Sequence, residues 1–354
     1  MAGGERSAIA KMAERVSDDL FDWFKWKRIP VRDQNFDCIK PVHAPKKNSN
    51  HNHPVDVVFT YHDSYLNKNI YLNTDLKSYA AGSIDSSNIV SALKSLAQTI
   101  DCAHVSEEWQ SRYVLEEHSY EVRGLLFVYN HDADYDKNFY DVLYAPVKGR
   151  GKGEPKAVRL DTLPIQDGQC LHVAEPSLIS YLTSVIADAN SLHAAGTFPE
   201  KQYEFFYPDM KLHKTSGERF SRAATIEMLS GPYLIIRHDT VKKYNESTGK
   251  LEERFGEGYV IYYNRSGGSA EEFAYFFDIL SGFQIVDGTH SLRVRLVHKS
   301  PASDARSNFS RGIDLYCRDW GLDRYRRERF GQIEFEIVSL TRYSFSRTEI
   351  GWDR

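Results

Sequence analysis

Apolar positions recur at helical spacing through the first segment of the chain, where Ile9, Met12, Ala13, Val16, Leu20, Trp23 and Phe24 fall on one stripe, and this predicts an amphipathic helix over 5–26. After an extended segment at 28–40, the pattern changes period. Val55-Asp56-Val57-Val58-Phe59-Thr60-Tyr61 and Asn69-Ile70-Tyr71-Leu72-Asn73-Thr74-Asp75-Leu76-Lys77 are short runs rich in β-branched and aromatic residues. The hydrophilic connector His62–Lys68 separates them, which predicts two antiparallel strands over 55–61 and 69–79. A second helical stripe, Ile89, Val90, Leu93, Leu96, Ala97 and Ile100, predicts a helix over 86–104. The run Glu121–Asn130 then reads as a closing strand.

The second half alternates in the same manner, with helices expected over 175–195 and 270–280 and strands over 232–238, 258–264, 291–298 and 332–343. A C-terminal mixed α+β domain follows from that alternation. No internal repeat or low-complexity tract is legible. Residues 146–159 hold three glycines and a run of basic side chains, and we place the domain boundary there: a first domain over 1–145, a basic linker over 146–159, and a second domain over 160–354.

Alternation along the strand sends Asp75 and Lys77 to one face, and Leu72, Thr74 and Leu76 to the other. Antiparallel pairing across the hairpin then brings Asp56 opposite Asp75. Two carboxylates at one point repel unless a cation is shared, and a hard ion such as Mg²⁺ or Mn²⁺ takes oxygen ligands from such a pair, from water and from phosphate. An acid two positions before a lysine also occurs at Glu154/Lys156 and Asp209/Lys211, but neither of those ends an apolar strand with a second acid one strand back. The plainer reading of Asp75 and Lys77 is an exposed ion pair of little energetic consequence.

The order of elements together with Asp56 and the triplet Asp75-Leu76-Lys77 resembles the PD-(D/E)xK, or restriction-endonuclease-like, nuclease superfamily over roughly the first 135 residues. That family's core runs helix, three strands, helix, strand, with the first acid on the second strand and the triplet on the third. Here Pro54 stands two residues before Asp56 instead of beside it. The resemblance implies an N-terminal αβββαβ domain that hydrolyses phosphodiesters, most often in DNA. It implies Asp56, Asp75 and the carbonyl of Leu76 as ligands of Mg²⁺ or Mn²⁺, with Lys77 positioning water or offsetting charge. A glutamate of the first helix commonly joins such sites. Glu5 lies on the apolar stripe and is preferred to Glu14, about 140° around the helix from Ile9. Lys94 and Gln98 on the second helix, and Lys148, Arg150 and Lys152 in the basic linker, are expected to contact nucleic acid. The implied setting is a bacterial restriction or anti-phage system, with a second subunit or a homo-oligomer as partner. The competing expectation is a catalytically silent scaffold that binds nucleic acid or a protein partner.

Composition narrows this picture only slightly. The net charge of -4 gives no global signature of nucleic-acid binding, so contact with a polyanion must be local. The segments lack a bilayer-length apolar stretch and the start lacks a secretory core, so a cytoplasmic, non-membrane protein is expected. Cys38, Cys102, Cys170 and Cys317 are scattered without zinc-type spacing and are read as reduced thiols. His51-Asn52-His53 spells HNH, but three neighbours in a loop cannot form that motif. His131–Asn138 starts like a calcium loop yet lacks its glycine and final acid. Ser266-Gly267-Gly268-Ser269 is read as turn chemistry ending in an N-cap. The arginines around Trp320 and Tyr325 suit either backbone contact with a polynucleotide or a self-paired surface.

Overall fold

The computed structural model describes residues 3–43, 51–115, 119–144, 146–147, 156–157, 163–208, 219–286 and 288–340. The chain divides into two compact units, Met1–Ile179 with Arg342–Arg354, and Ser180–Thr341. The basic segment 146–159 therefore belongs by sequence to the first unit, whose sheet continues beyond it.

The first unit begins with α1 (Gly3–Trp23), and its strands are β1 (Lys27–Arg28), β2 (Phe36–Asp37), β3 (Asn52–His53), β4 (Val57–Asp63) and β5 (Lys68–Tyr79). Helices α2 (Ser86–Ala103) and α3 (Glu107–Tyr113) lead to β6 (Tyr120–Asn130), and α4 (Phe139–Tyr144), β7 (Pro146–Val147) and β8 (Lys156–Ala157) lead to β9 (Leu171–Ala174). The main sheet has the order β1-β4-β5-β6-β9. Its first two pairings are antiparallel and its last two parallel. The expected extended segment at 28–40 is broken into β1 and β2, because Pro30 offers no backbone donor and Asp33 turns the chain with φ 51°. Asp85 caps α2 by accepting from Asn88 N at 2.9 Å.

The two faces of this sheet carry different helices. Phe21 of α1 packs on Phe59 and Phe127 at ring separations of 4.9 and 5.8 Å. Phe59 pairs with Leu72, and Phe127 with Leu76, so Leu72, Thr74 and Leu76 share the α1 face. Val58, Tyr71, Leu126 and Val128 pack instead with Ile89, Leu93, Leu96 and Ile100 of α2. Asp75 and Lys77 pair with Leu126 and Val128, which puts them on the α2 side.

The second unit begins within α5 (Pro176–Ala194), at Ser180, and continues through β10 (Tyr203–Phe205), α6 (Ile226–Leu229), β11 (Tyr233–His238), an exposed hairpin β12 (Val241–Asn245) and β13 (Lys250–Phe255), and β14 (Gly258–Tyr263). Then follow α7 (Ala270–Gly282), β15 (Ser291–Val297), α8 (Ala305–Asp319), α9 (Arg324–Gly331) and β16 (Glu334–Val338). The sheet order is β10-β11-β14-β15-β16, again two antiparallel pairings followed by two parallel ones. A helix precedes the strands and another follows the third strand, as in the first unit. The two units thus share one topology, a repeat the sequence did not disclose. Helices α8 and α9 escaped the apolar pattern because the buried stripe of α8 includes Asn308 and Gly312, where a Cβ would come within 2.6 Å of Phe273. Among the described residues no helix is long and apolar enough to cross a membrane.

Phe21 is 2% exposed and also stacks on Trp26 at 4.4 Å. Replacing Phe21 by Ala should cost about 3–5 kcal/mol in urea unfolding, whereas Tyr325→Ala at an exposed ring should stay within about 0.5 kcal/mol of the parent. Equal stabilities for the two variants would contradict this packing.

Candidate nuclease site

Strand register builds the candidate site. Val57 pairs with Thr74 at the start of β4, so Asp56, one residue earlier, stands beside Asp75 at the open end of the hairpin. At the closed end Asp63 accepts from the backbone N–H groups of Tyr65 and Leu66 at 2.8 and 3.1 Å, and Asn67 adopts φ 50°. That turn fixes the pairing on which the acids depend.

Asp56 Oδ2 accepts from the amide of Leu76 at 2.7 Å. Asp56 and Asp75 lie close enough for each charge to act on the other, and Lys77 Nζ donates to Asp75 Oδ1. Burial, followed by the neighbouring Asp75 charge, pushes the Asp56 carboxyl up to about 6, against the opposing pull of the Leu76 amide and Lys77. For Lys77 burial favours the neutral amine, yet Asp75 and Asp56 outweigh it and the pKa is raised, so the ammonium persists at neutral pH. The side chains of Asp75 and Lys77 are 16% and 32% exposed, which leaves them within reach of solvent and solutes. The donors are oxygens from two carboxylates with excess negative charge, a set suited to a hard divalent cation.

The other expected site residues are placed as follows. Glu5 lies on α1, whose described residues cover the sheet face opposite Asp75, and its side chain lies outside the described residues. Glu14 pairs with Arg32. On α2, Lys94 is exposed and Gln98 half-buried, on the helix that packs over the Asp75 face. Lys148, Arg150 and Lys152 lie outside the described residues. Asp132 is held in a turn by the amide of Ala81 and by Asn130, and the Gly267 and Gly268 amides are filled by the Glu272 carboxylate at 3.0 and 2.9 Å. In the C-terminal cluster, Arg318 pairs with Asp319, Arg324 with Glu328 and Arg327 with Asp314, while Arg329 lies over the Tyr325 ring.

The corresponding end of the second unit has no acid pair. Tyr233 pairs with Tyr263 where β11 meets β14, and both rings pack toward Phe276 at 6.3 and 4.7 Å. Asn264 donates its amide to Pro232 O at 2.7 Å just beyond.

A helix, an antiparallel strand trio, a crossover helix and a parallel fourth strand, with one acid just before the second strand and one on the third, define a nuclease domain of the PD-(D/E)xK class. The family model described as GAPS4 protein PD-(D/E)XK nuclease domain matches residues 1–177, and the chain belongs to that family. No curated protein and no solved structure matches the chain.

A carboxyl whose folded pKa is raised contributes stability below its unfolded value, and loses it as pH rises through about 6. At neutral pH without a divalent ion, ionised Asp56 is therefore a cost to folding. Asp56→Asn should stabilise the metal-free protein by on the order of 2 kcal/mol above pH about 6, with the gain vanishing toward pH about 4. Thermal melts in chelator across that range would show this, and an Asn variant less stable than the parent at neutral pH would refute it.

Proposed function

We propose that this protein is a divalent-metal-dependent DNA endonuclease of anti-phage defence, with Asp56, Asp75 and Lys77 as its catalytic residues. The observation that carries the reading is the β4–β5 register that sets Asp56, just before the second strand, beside Asp75 on the third, with Lys77 paired to Asp75, in a PD-(D/E)xK domain. Asp56, Asp75 and the carbonyl of Leu76 would hold Mg²⁺ or Mn²⁺. Bound there, the ion would neutralise phosphate charge and lower the pKa of a water.

The protein's own groups divide the remaining work. Asp56 and Asp75 would hold the cation, and the positive charge it supplies would favour a phosphate beside them. The Lys77 ammonium, held protonated by the two acids, offsets charge on the phosphoryl oxygens as water attacks phosphorus and the bridging P–O bond breaks. A protonated amine cannot serve as general base, so its part is electrostatic and orienting. Lys94 and Gln98 extend the surface beside the site, and Lys148, Arg150 and Lys152 supply backbone contacts whose strength falls with salt. Glu5 is an auxiliary acid in this reading. The second unit, which keeps the topology without the acid pair, serves recognition or assembly with a second subunit or a second copy.

GAPS4, for which the family is named, is an anti-phage defence protein, and this supports the biological setting. The test is cleavage of plasmid, linear duplex and RNA in Mg²⁺ or Mn²⁺, with chelator as control. Asp75→Ala and Lys77→Ala should each lower the DNA cleavage rate by about 10²–10³-fold, and Asp75→Ala should abolish protection of cells in a plaque assay. Cleavage by Asp75→Ala at the parent rate would remove the site; preferential cutting of RNA would replace the substrate.

A further inference from the structure

Away from the acids, the first unit gathers two thiols and two imidazoles. Cys38 follows β2, His43 ends a single 3-10 turn over Pro41–His43, His53 ends β3, and Cys102 lies in the last turn of α2. Pairing of Phe36 with His53, and the bond from Cys38 N to His51 O at 2.9 Å, fold the short ribbon back so that Cys38 and His53 approach. One ligand atom from each of the four lies within 4.8 Å of every other. Sequence spacing hid this group, because the fourth member sits on a helix 49 positions after His53.

We propose that Cys38, His43, His53 and Cys102 form a closed, structural zinc site. A tetrahedral zinc with Zn–S of about 2.3 Å and Zn–N of about 2.0–2.1 Å requires an S···S edge of about 3.8 Å and an S···N edge of about 3.6 Å. Cys38 Sγ and Cys102 Sγ are 3.8 Å apart, and Cys102 Sγ and His43 Nδ1 are 3.3 Å apart. The sulfur separation matches the zinc edge and is well beyond the roughly 2.05 Å of a disulfide. His43 Nε2 lies 3.1 Å from Asp101 Oδ2, leaving Nδ1 to face the sulfurs in the carboxylate–histidine–metal arrangement. Asp101 is itself fixed by Lys40 Nζ at 2.6 Å and Gln169 Nε2 at 3.2 Å.

A second observation points to a missing ligand. His53 is 2% exposed, and its Nε2 is buried without a hydrogen-bond partner among the described residues. Such an atom costs free energy unless something binds it. Soft sulfur with imidazole selects zinc over the hard ions suited to Asp56 and Asp75. Four protein ligands leave no open position, so the ion would staple the β2–β3 ribbon to the end of α2 instead of performing chemistry.

The test is metal content of the full chain purified without added zinc. About one zinc per chain is expected in the parent and in Asp75→Ala, Cys170→Ser and Cys317→Ser, with loss to under about a tenth in Cys38→Ser and His53→Ala. Retention in Asp75→Ala separates this site from the nuclease site. Should the ligand variants fail to fold, metal-depleted parent protein titrated with Co²⁺ must develop the visible and sulfur-to-metal absorption bands of tetrahedral thiolate coordination, and Zn²⁺ must displace them. Absence of zinc with no cobalt spectrum, equal loss in Cys170→Ser, or a Cys38–Cys102 disulfide by mass would each overturn the proposal.

Discussion

The antiparallel register of β4 on β5 is the constraint from which the site follows. Val57 must meet Thr74 for Asp56 to stand by Asp75, and a slip of one residue would send Asp75 and Lys77 to the α1 face. That face is closed by Phe21, Phe59 and Phe127, which would then have to bury a carboxylate and an ammonium. The register is held from both ends, by the Asp63 turn and by the uninterrupted parallel ladder of β5 with β6 from Asn69–Tyr120 to Tyr79–Asn130. Register and packing together thereby decide which face receives Asp75 and Lys77.

The placement is costly to folding at neutral pH. Asp56 is driven toward protonation by burial and by Asp75, while the Leu76 amide and Lys77 only partly compensate. Perturbed groups of this kind gather where a fold serves function over stability. The Lys77 ammonium offsets part of the excess but pairs with Asp75, so the Asp56–Asp75 pair retains a demand for positive charge that a divalent ion can meet.

Much of this was legible in residue patterns. The helix expected over 86–104 is observed at Ser86–Ala103, and the strands expected over 69–79 and 121–130 are observed at Lys68–Tyr79 and Tyr120–Asn130, because buried positions at a clean period leave few alternatives. The opposition of Asp56 and Asp75 was expected from alternation together with antiparallel pairing across the hairpin. What the chain concealed was long-range or low-contrast. Helix α9 carries five arginines or acids in eight residues around a buried Phe330, so its apolar stripe is nearly absent. The convergence of Cys38, His43, His53 and Cys102 depends on where α2 ends relative to a two-residue ribbon, which no local spacing encodes. The shared topology of the two units was equally invisible, since strand order is a property of pairing and not of composition.

That shared topology clarifies why only one unit carries the acid pair. In the first unit Asp75 and Lys77 edge an otherwise apolar face under α2, and the α1 face buries Arg123, which pairs with Glu121 at 2.8 Å. In the second, Tyr263, Ile261, Val294 and Leu296 form an aromatic and aliphatic core under α7 and α8 with no acid beside it on the strand ends, while Arg295 on the α5 side pairs with Asp188, and Arg293 reaches Thr197 O at 3.0 Å and His238 Nε2 at 2.9 Å. His238 must accept there and is therefore neutral, in keeping with burial that lowers its pKa to about 4. The guanidinium of Arg293 also lies 4.6 Å from the Phe255 ring centroid. Buried ions held by several partners are costly to break singly, about 3–5 kcal/mol each, and they specify a geometry more than they add net stability. The second sheet has thus committed its charge to internal pairing on one face and its open hairpin end to tyrosines, leaving no carboxylate pair there to attract a cation.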